Sequence, residues 1–126
     1  MDLDMNILVV DDFQFARRIC TNVLQEIGLK NIKEVSSGTT ALEALSNKSY
    51  DLIITDHNMP GMSGVELIKK IKADDSIKHI PIIMITSEGS KSTLLEATEA
   101  GVGAFLNKPF TKEDLIEKIE RLCNKS

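Results

Sequence analysis

Four apolar runs in this chain end on residues able to do chemistry. ILVVDD closes on Asp11 and Asp12, LIITD on Asp56, IIMIT on Thr86, and AFLNKP leads into Lys108. Each run reads as a short strand, so each polar group is presented at a strand tip. Three carboxylates gathered on one rim would repel one another, and a bound divalent cation is the simplest relief. An all-oxygen set of Asp11, Asp12, Asp56, the Asn58 main-chain carbonyl and waters suits a hard ion, Mg2+. The lack of a Cys/His cluster argues against zinc. Magnesium would draw in a phosphoryl group, and the remaining residues then acquire roles. Asp56 could attack phosphorus as a carboxylate nucleophile, forming an acyl phosphate. The Lys108 ammonium would neutralise phosphoryl oxygens, and the Thr86 hydroxyl would hydrogen-bond one of them. Lysine serves here as a flexible point charge, where arginine would impose a fork.

Other polar residues carry plainer readings. Asp12 stands just before a helix and could act partly as its N-cap. His57 has no visible orienting partner and reads as a bystander, while His79 reads as surface. Thr111 with Asp114 marks a helix start. Met59, Met62 and Met84 read as packing, and Pro60, Gly61 and Gly64 as turn residues. Pro109 directly after Lys108 is a candidate for a cis peptide bond.

The elements that must position these groups alternate along the chain. Strands are predicted at Ile7–Val10, Ile32–Val35, Leu52–Thr55, Ile82–Thr86 and Ala104–Leu106. Helices are predicted at Gln14–Ile27, Thr39–Ser46, Val65–Lys72, Lys91–Ala100 and Lys112–Leu122. The first helix carries Phe15, Ile19, Val23, Leu24 and Ile27 at helical spacing, and the second strand, with Lys33 and Glu34, reads as an edge. Repeated strand–helix units imply an α/β fold, a doubly wound parallel sheet covered on both faces. Ligands in such sheets gather beyond the carboxyl ends of the strands, where all the candidate residues fall.

Bulk properties exclude several classes. With 126 residues the chain suits a single domain, and 42% hydrophobic with 27% charged content is globular rather than disordered. No apolar run approaches the roughly 20 residues of a membrane span, and the acidic MDLDM start argues against a secretory leader. A net charge of -4 with dispersed lysines lacks the basic footprint of a nucleic-acid binder. Cys20 and Cys123 read as buried thiols in a reducing cytosol. No glycine-rich nucleotide fingerprint follows the first strand.

The blocks VVDD, ITDHNMPGMSG, ITSEG and NKPF, in this order and spacing, resemble the receiver domains of two-component response regulators. The resemblance covers about residues 5 to 122, and within the family it is nearest the single-domain chemotaxis regulators. It implies a flavodoxin-like fold of five strands in the order 2-1-3-4-5 and a stand-alone receiver with no output domain. It implies Asp56 as phosphoacceptor, magnesium held by Asp11, Asp12, Asp56 and the Asn58 carbonyl, and Lys108 in contact with the phosphoryl group. Thr86 and the residue at position 105 would be the switch pair. That second position, often tyrosine in the chemotaxis proteins, is Phe105, which cannot donate a hydroxyl hydrogen bond. The Asn58 and Glu88 side chains would tune how readily water removes the phosphoryl group. The implied phosphodonor is a histidine kinase, and a phosphatase is a further possible partner. The output would be a protein bound on the fourth-helix, fifth-strand and fifth-helix face, with the flagellar motor switch first in view. The chain would act as a cytoplasmic monomer, a switch catalysing its own phosphorylation and dephosphorylation rather than a metabolic enzyme. A phosphorelay intermediate or a regulator of another pathway is the alternative. An aspartate-nucleophile phosphohydrolase would want an acid where Asn58 stands and a cap for which 126 residues leave little room.

Overall fold

The computed structural model describes residues 1–123, and its elements run in strict alternation. They are β1 (Asn6–Val10), α1 (Gln14–Ile27), β2 (Asn31–Val35), α2 (Gly38–Asn47), β3 (Leu52–Thr55), α3 (Gly64–Lys72), β4 (Ile82–Thr86), α4 (Lys91–Ala100), β5 (Ala104–Asn107) and α5 (Lys112–Cys123). The five strands form one parallel sheet in the order β2-β1-β3-β4-β5. Several boundaries lie one residue beyond the positions read from sequence, because Asn and Gly at element ends carry little apolar signal.

The apolar runs alternate between the two faces of the sheet. Leu8, Val10, Ile53, Ile82 and Met84 meet α2, α3 and α4 through Ala41, Leu45, Leu67, Ile68, Ile71 and Ala97. Ile7, Val9, Leu52, Ile54, Ile83 and Ile85 meet α1 and α5 through Cys20, Leu24, Leu115 and Ile119. Both faces are buried, which is why β3 and β4 read as unbroken apolar runs. Complete burial of a side chain such as Ile53 is worth about 2 kcal/mol. Met59 and Met84 are buried in the core and His79 is exposed.

Local chemistry sets the helix ends. Ser37 with Thr40 and Ser63 with Glu66 form capping boxes at α2 and α3. Thr111 and Asp114 make the same reciprocal pair at α5. Gly28 and Gly101 close α1 and α4 in the left-handed region, with φ of 112° and 111°.

The structure corrects three readings. Phe15 and Ile19, placed on the apolar stripe of α1, are 67% and 44% exposed. The face that meets the sheet runs instead through Cys20, Leu24 and partly buried Val23 and Ile27. Asp12 does not cap α1; Phe13 holds the N-cap position with no side-chain cap hydrogen bond. Cys20 is buried, but Cys123 is only half-buried. Burial, with Asp11 next, pushes the Cys20 thiol up to about 12. Among the described residues no helix is long and apolar enough to cross a membrane.

Candidate functional site

The sheet order makes a crevice. The chain leaves β1 to form β2 on one side and returns to form β3 on the other, so connections diverge at the β1/β3 boundary. Loops at the carboxyl ends of these strands splay apart there, which leaves room for a ligand. Asp11 and Asp56 sit at this point. The sheet ladder continues one residue beyond each strand: the Asp56 N–H donates to the Val10 carbonyl at 3.0 Å, and the Asp11 N–H to the Val35 carbonyl at 3.2 Å. With Val10 opposite Thr55 in register, the two carboxylates are held side by side by backbone.

Asp11, Asp12 and Asp56 each place one carboxylate oxygen so that the three lie within 4.8 Å of one another. Asp11 is buried, Asp56 half-buried and Asp12 exposed. Lys108, held at the end of β5 by its N–H to the Thr86 carbonyl at 3.0 Å, turns its ammonium into the group. Its Nζ lies 2.9 Å from Asp11 Oδ2 and 3.7 Å from Asp56 Oδ2. The Lys108–Pro109 bond is cis. One ammonium against three carboxylates leaves the cluster strongly negative. That excess, with a donor set made only of oxygen, fits a hard divalent cation.

Asp56 Oδ1 accepts the His57 N–H at 2.8 Å. Burial holds the Asp56 carboxyl above its ordinary value; Lys108 and the His57 N–H pull it down, Asp11 pushes it up, and the Thr86 hydroxyl pulls it down further. Thr86 is fully buried, and its Oγ1 accepts the Glu88 N–H at 3.1 Å. Asn58 and Glu88 are exposed, the first in the loop after β3 and the second in the loop after β4. Phe105 is not brought to the acidic group. It is partly buried and packs against the core on the α2, α3 and α4 face.

His57 is engaged in shaping the turn. Its carbonyl accepts the Gly64 N–H at 2.8 Å, and its Nδ1 accepts the Val65 N–H at 3.4 Å. Sequence reasoning missed two participants, Arg17 and Glu34. Arg17 Nη1 donates to the Asp11 carbonyl at 2.7 Å, and Arg17 Nε lies 3.5 Å from Glu34 Oε1. No local pattern flags either one: Arg17 stands among exposed helix residues, and Glu34 lies on a strand that reads as a polar edge. A cleft of about 780 Å³ lies elsewhere, between Leu45, Tyr50, Lys70 and Ile80. It gathers none of these groups.

Known proteins resemble this chain over most of its length. The chain is 45% identical over 118 residues to the chemotaxis protein CheY of Pseudomonas aeruginosa, covering 94% of this chain and 95% of that one. It is 43% identical over 122 residues to the chemotaxis protein CheY-3 of Vibrio cholerae, covering 97% and 94%. Among solved structures, a putative response regulator from Chloroflexus aurantiacus superposes with a TM-score of 0.91 at 28% identity, covering 97% of this chain and 99% of that one. Residues 7–120 match the response regulator receiver domain. With a sheet in the order 2-1-3-4-5 and acidic strand tips at its switch point, the chain belongs to the response regulator receiver family.

Proposed function

We propose that this receiver is a chemotaxis switch that accepts a phosphoryl group on Asp56 and thereby changes its affinity for a protein target. The single observation that carries the reading is the convergence of Asp11, Asp12, Asp56 and Lys108 on one crevice from three different strands. Asp56 Oδ1 is occupied by the His57 N–H, which leaves Oδ2, on the Lys108 side, as the attacking atom. In the transfer, an Oδ2–phosphorus bond forms while the bond to the donor's leaving group breaks, and the electron pair departs with that group. Lys108 steadies the charge on the transferring oxygens, and the Thr86 hydroxyl supplies a hydrogen bond from the β4 tip. Asp11, Asp12, Asp56 and the Asn58 carbonyl are the residues that would hold Mg2+. When bound, the ion would neutralise and orient the phosphoryl oxygens.

Reversal requires water to reach the same phosphorus. Asn58 and Glu88, exposed in the loops after β3 and β4, tune how long the phosphoryl group persists. The donor is a histidine kinase. The output face is α4, β5 and α5, where Leu94 and Leu95 are 42% and 60% exposed. Engagement of Thr86 with a phosphoryl group biases Phe105 between packed and exposed positions. The two chemotaxis relatives favour the flagellar motor switch as target. Phe105 favours a second reading, a regulator of another pathway, because it lacks the hydroxyl with which a tyrosine would meet a partner.

Labelling with acetyl phosphate and Mg2+, followed by intact mass, tests the chemistry. One phosphoryl group is expected on the wild-type chain and none on Asp56→Asn; full labelling of that variant would sink the mechanism. For the target, recovery of a flagellar switch component only by beryllofluoride-treated protein decides for chemotaxis.

A further inference from the structure

The path from Glu34 through Arg17 to Asp11 has no part in the transfer chemistry above. The loop that carries Asp11 and Asp12 enters α1 without a side-chain cap, so other contacts must fix it. One is local: Asp11 Oδ1 accepts the Phe13 N–H at 3.0 Å. Another comes from one turn into the helix, where Arg17 reaches back and Nη1 donates to the Asp11 carbonyl at 2.7 Å. The Arg17 side chain is only 15% exposed and lies against Glu34 of the edge strand β2. Its Nε–H faces Glu34 Oε1 at 3.5 Å without forming a hydrogen bond. Glu34 is itself fixed, since its Oε2 accepts from Arg18 Nη1 at 2.6 Å and from Thr21 Oγ1 at 2.9 Å.

We infer that Arg17 is a positioning residue for the cation site. It pins the Asp11 peptide so that the Asp11 and Asp12 carboxylates stand ready for a hard divalent cation, and Glu34 holds Arg17 in place. Glu34 also offsets the guanidinium charge, which would otherwise oppose a cation beside it. This inference rests on the reading of Asp11, Asp12 and Asp56 as the cation site. Groups that orient metal ligands from behind act on affinity through geometry. Charge alone predicts the opposite sign: deleting a cation near the site would tighten cation binding. The two accounts therefore separate at Arg17, whereas at Glu34 both predict weaker binding.

The test is calorimetric titration of the full chain with Mg2+ at pH 7, with thermal melts to confirm folding. Arg17→Met is expected to weaken Mg2+ binding about tenfold, and Glu34→Gln roughly threefold. Arg18→Gln removes the same charge from the same carboxylate without touching Asp11, and should stay within about twofold. In acetyl phosphate labelling, Arg17→Met should raise the half-saturating Mg2+ by its binding factor yet match the wild-type rate at saturating Mg2+. Unchanged or tighter Mg2+ binding by folded Arg17→Met overturns the inference. Should that variant not fold, unchanged binding by Glu34→Gln overturns it instead. A wild-type chain that binds no Mg2+ overturns the cation-site reading itself, a distinct result.

Discussion

The Lys108 ammonium lies closer to Asp11, at 2.9 Å, than to Asp56, at 3.7 Å. Lysine and a divalent cation therefore compete for the same carboxylates, although the proposed chemistry needs both. Lys108→Met should tighten Mg2+ binding about fivefold at low ionic strength, with the gain shrinking as salt is added. Its phosphoryl labelling should fall, because nothing then steadies the transferring oxygens. Calorimetry beside acetyl phosphate labelling reads both arms, and weaker Mg2+ binding by the variant would contradict the competition.

Asp56 also costs the fold something at neutral pH. Burial raises its carboxyl above 3.8, so the native state binds the proton more tightly than the unfolded chain does. The resulting stabilisation is present in full below pH 3.8 and is lost as pH rises through the elevated native value. Asp56→Asn should therefore unfold several degrees higher than wild type at pH 7, and the gap should close near pH 3. Adding Mg2+ at pH 7 should narrow it from the other direction. Thermal melts across this range would refute the idea if the gap were constant.

Cys20 should be chemically silent while the chain is folded. Its thiol stands at about 12 against 9.0 for an ordinary one, which cuts the reactive thiolate about a thousandfold. Iodoacetamide at pH 8 should leave the Cys20 peptide unmodified in native buffer and alkylate it in urea, as read by peptide mass. The sign for stability follows: the native chain keeps this proton between pH 9 and 12, so stability falls with rising pH across that window.

Two glycines, Gly61 in the loop after β3 and Gly64 at the start of α3, should respond differently to alanine. A Cβ at Gly64 would collide with the Asp56 carbonyl oxygen and stand 2.8 Å from His57 Cα, both backbone atoms that cannot step aside. Gly64→Ala should cost about 3 kcal/mol and lower phosphoryl labelling, since the displaced segment carries the nucleophile. Gly61 has φ of 83° but open space around it, so Gly61→Ala should cost about 1 kcal/mol. Urea denaturation of the two variants would reject this ranking if their midpoints coincided.

The resemblance read from four sequence blocks is supported by the relatives, and the fold followed from simpler signals. Alternating runs gave every strand and helix. Thr111 with Asp114 marked a helix start, and the structure begins α5 at Lys112, the next residue. Two of the three failures were on α1, and the third, half-buried Cys123, ends α5. The apolar residues of α1 are spread too widely around the helix for one stripe, and Phe15 and Ile19 fell on the outer side.

By itself, the sequence determined that a parallel sheet would form and that acidic residues would stand at its strand tips. Those outcomes depend on apolar periodicity and on the end of each run, both local properties. Tertiary structure alone decided which charges meet. Lys108 reaches a partner 97 residues away, and chooses Asp11 over Asp56 by less than an ångström. Arg17 turns from the helix surface to the Asp11 carbonyl because β2 brings Glu34 beside it. Such pairings depend on strand order and side-chain reach, which exist only once the sheet has closed around its two cores.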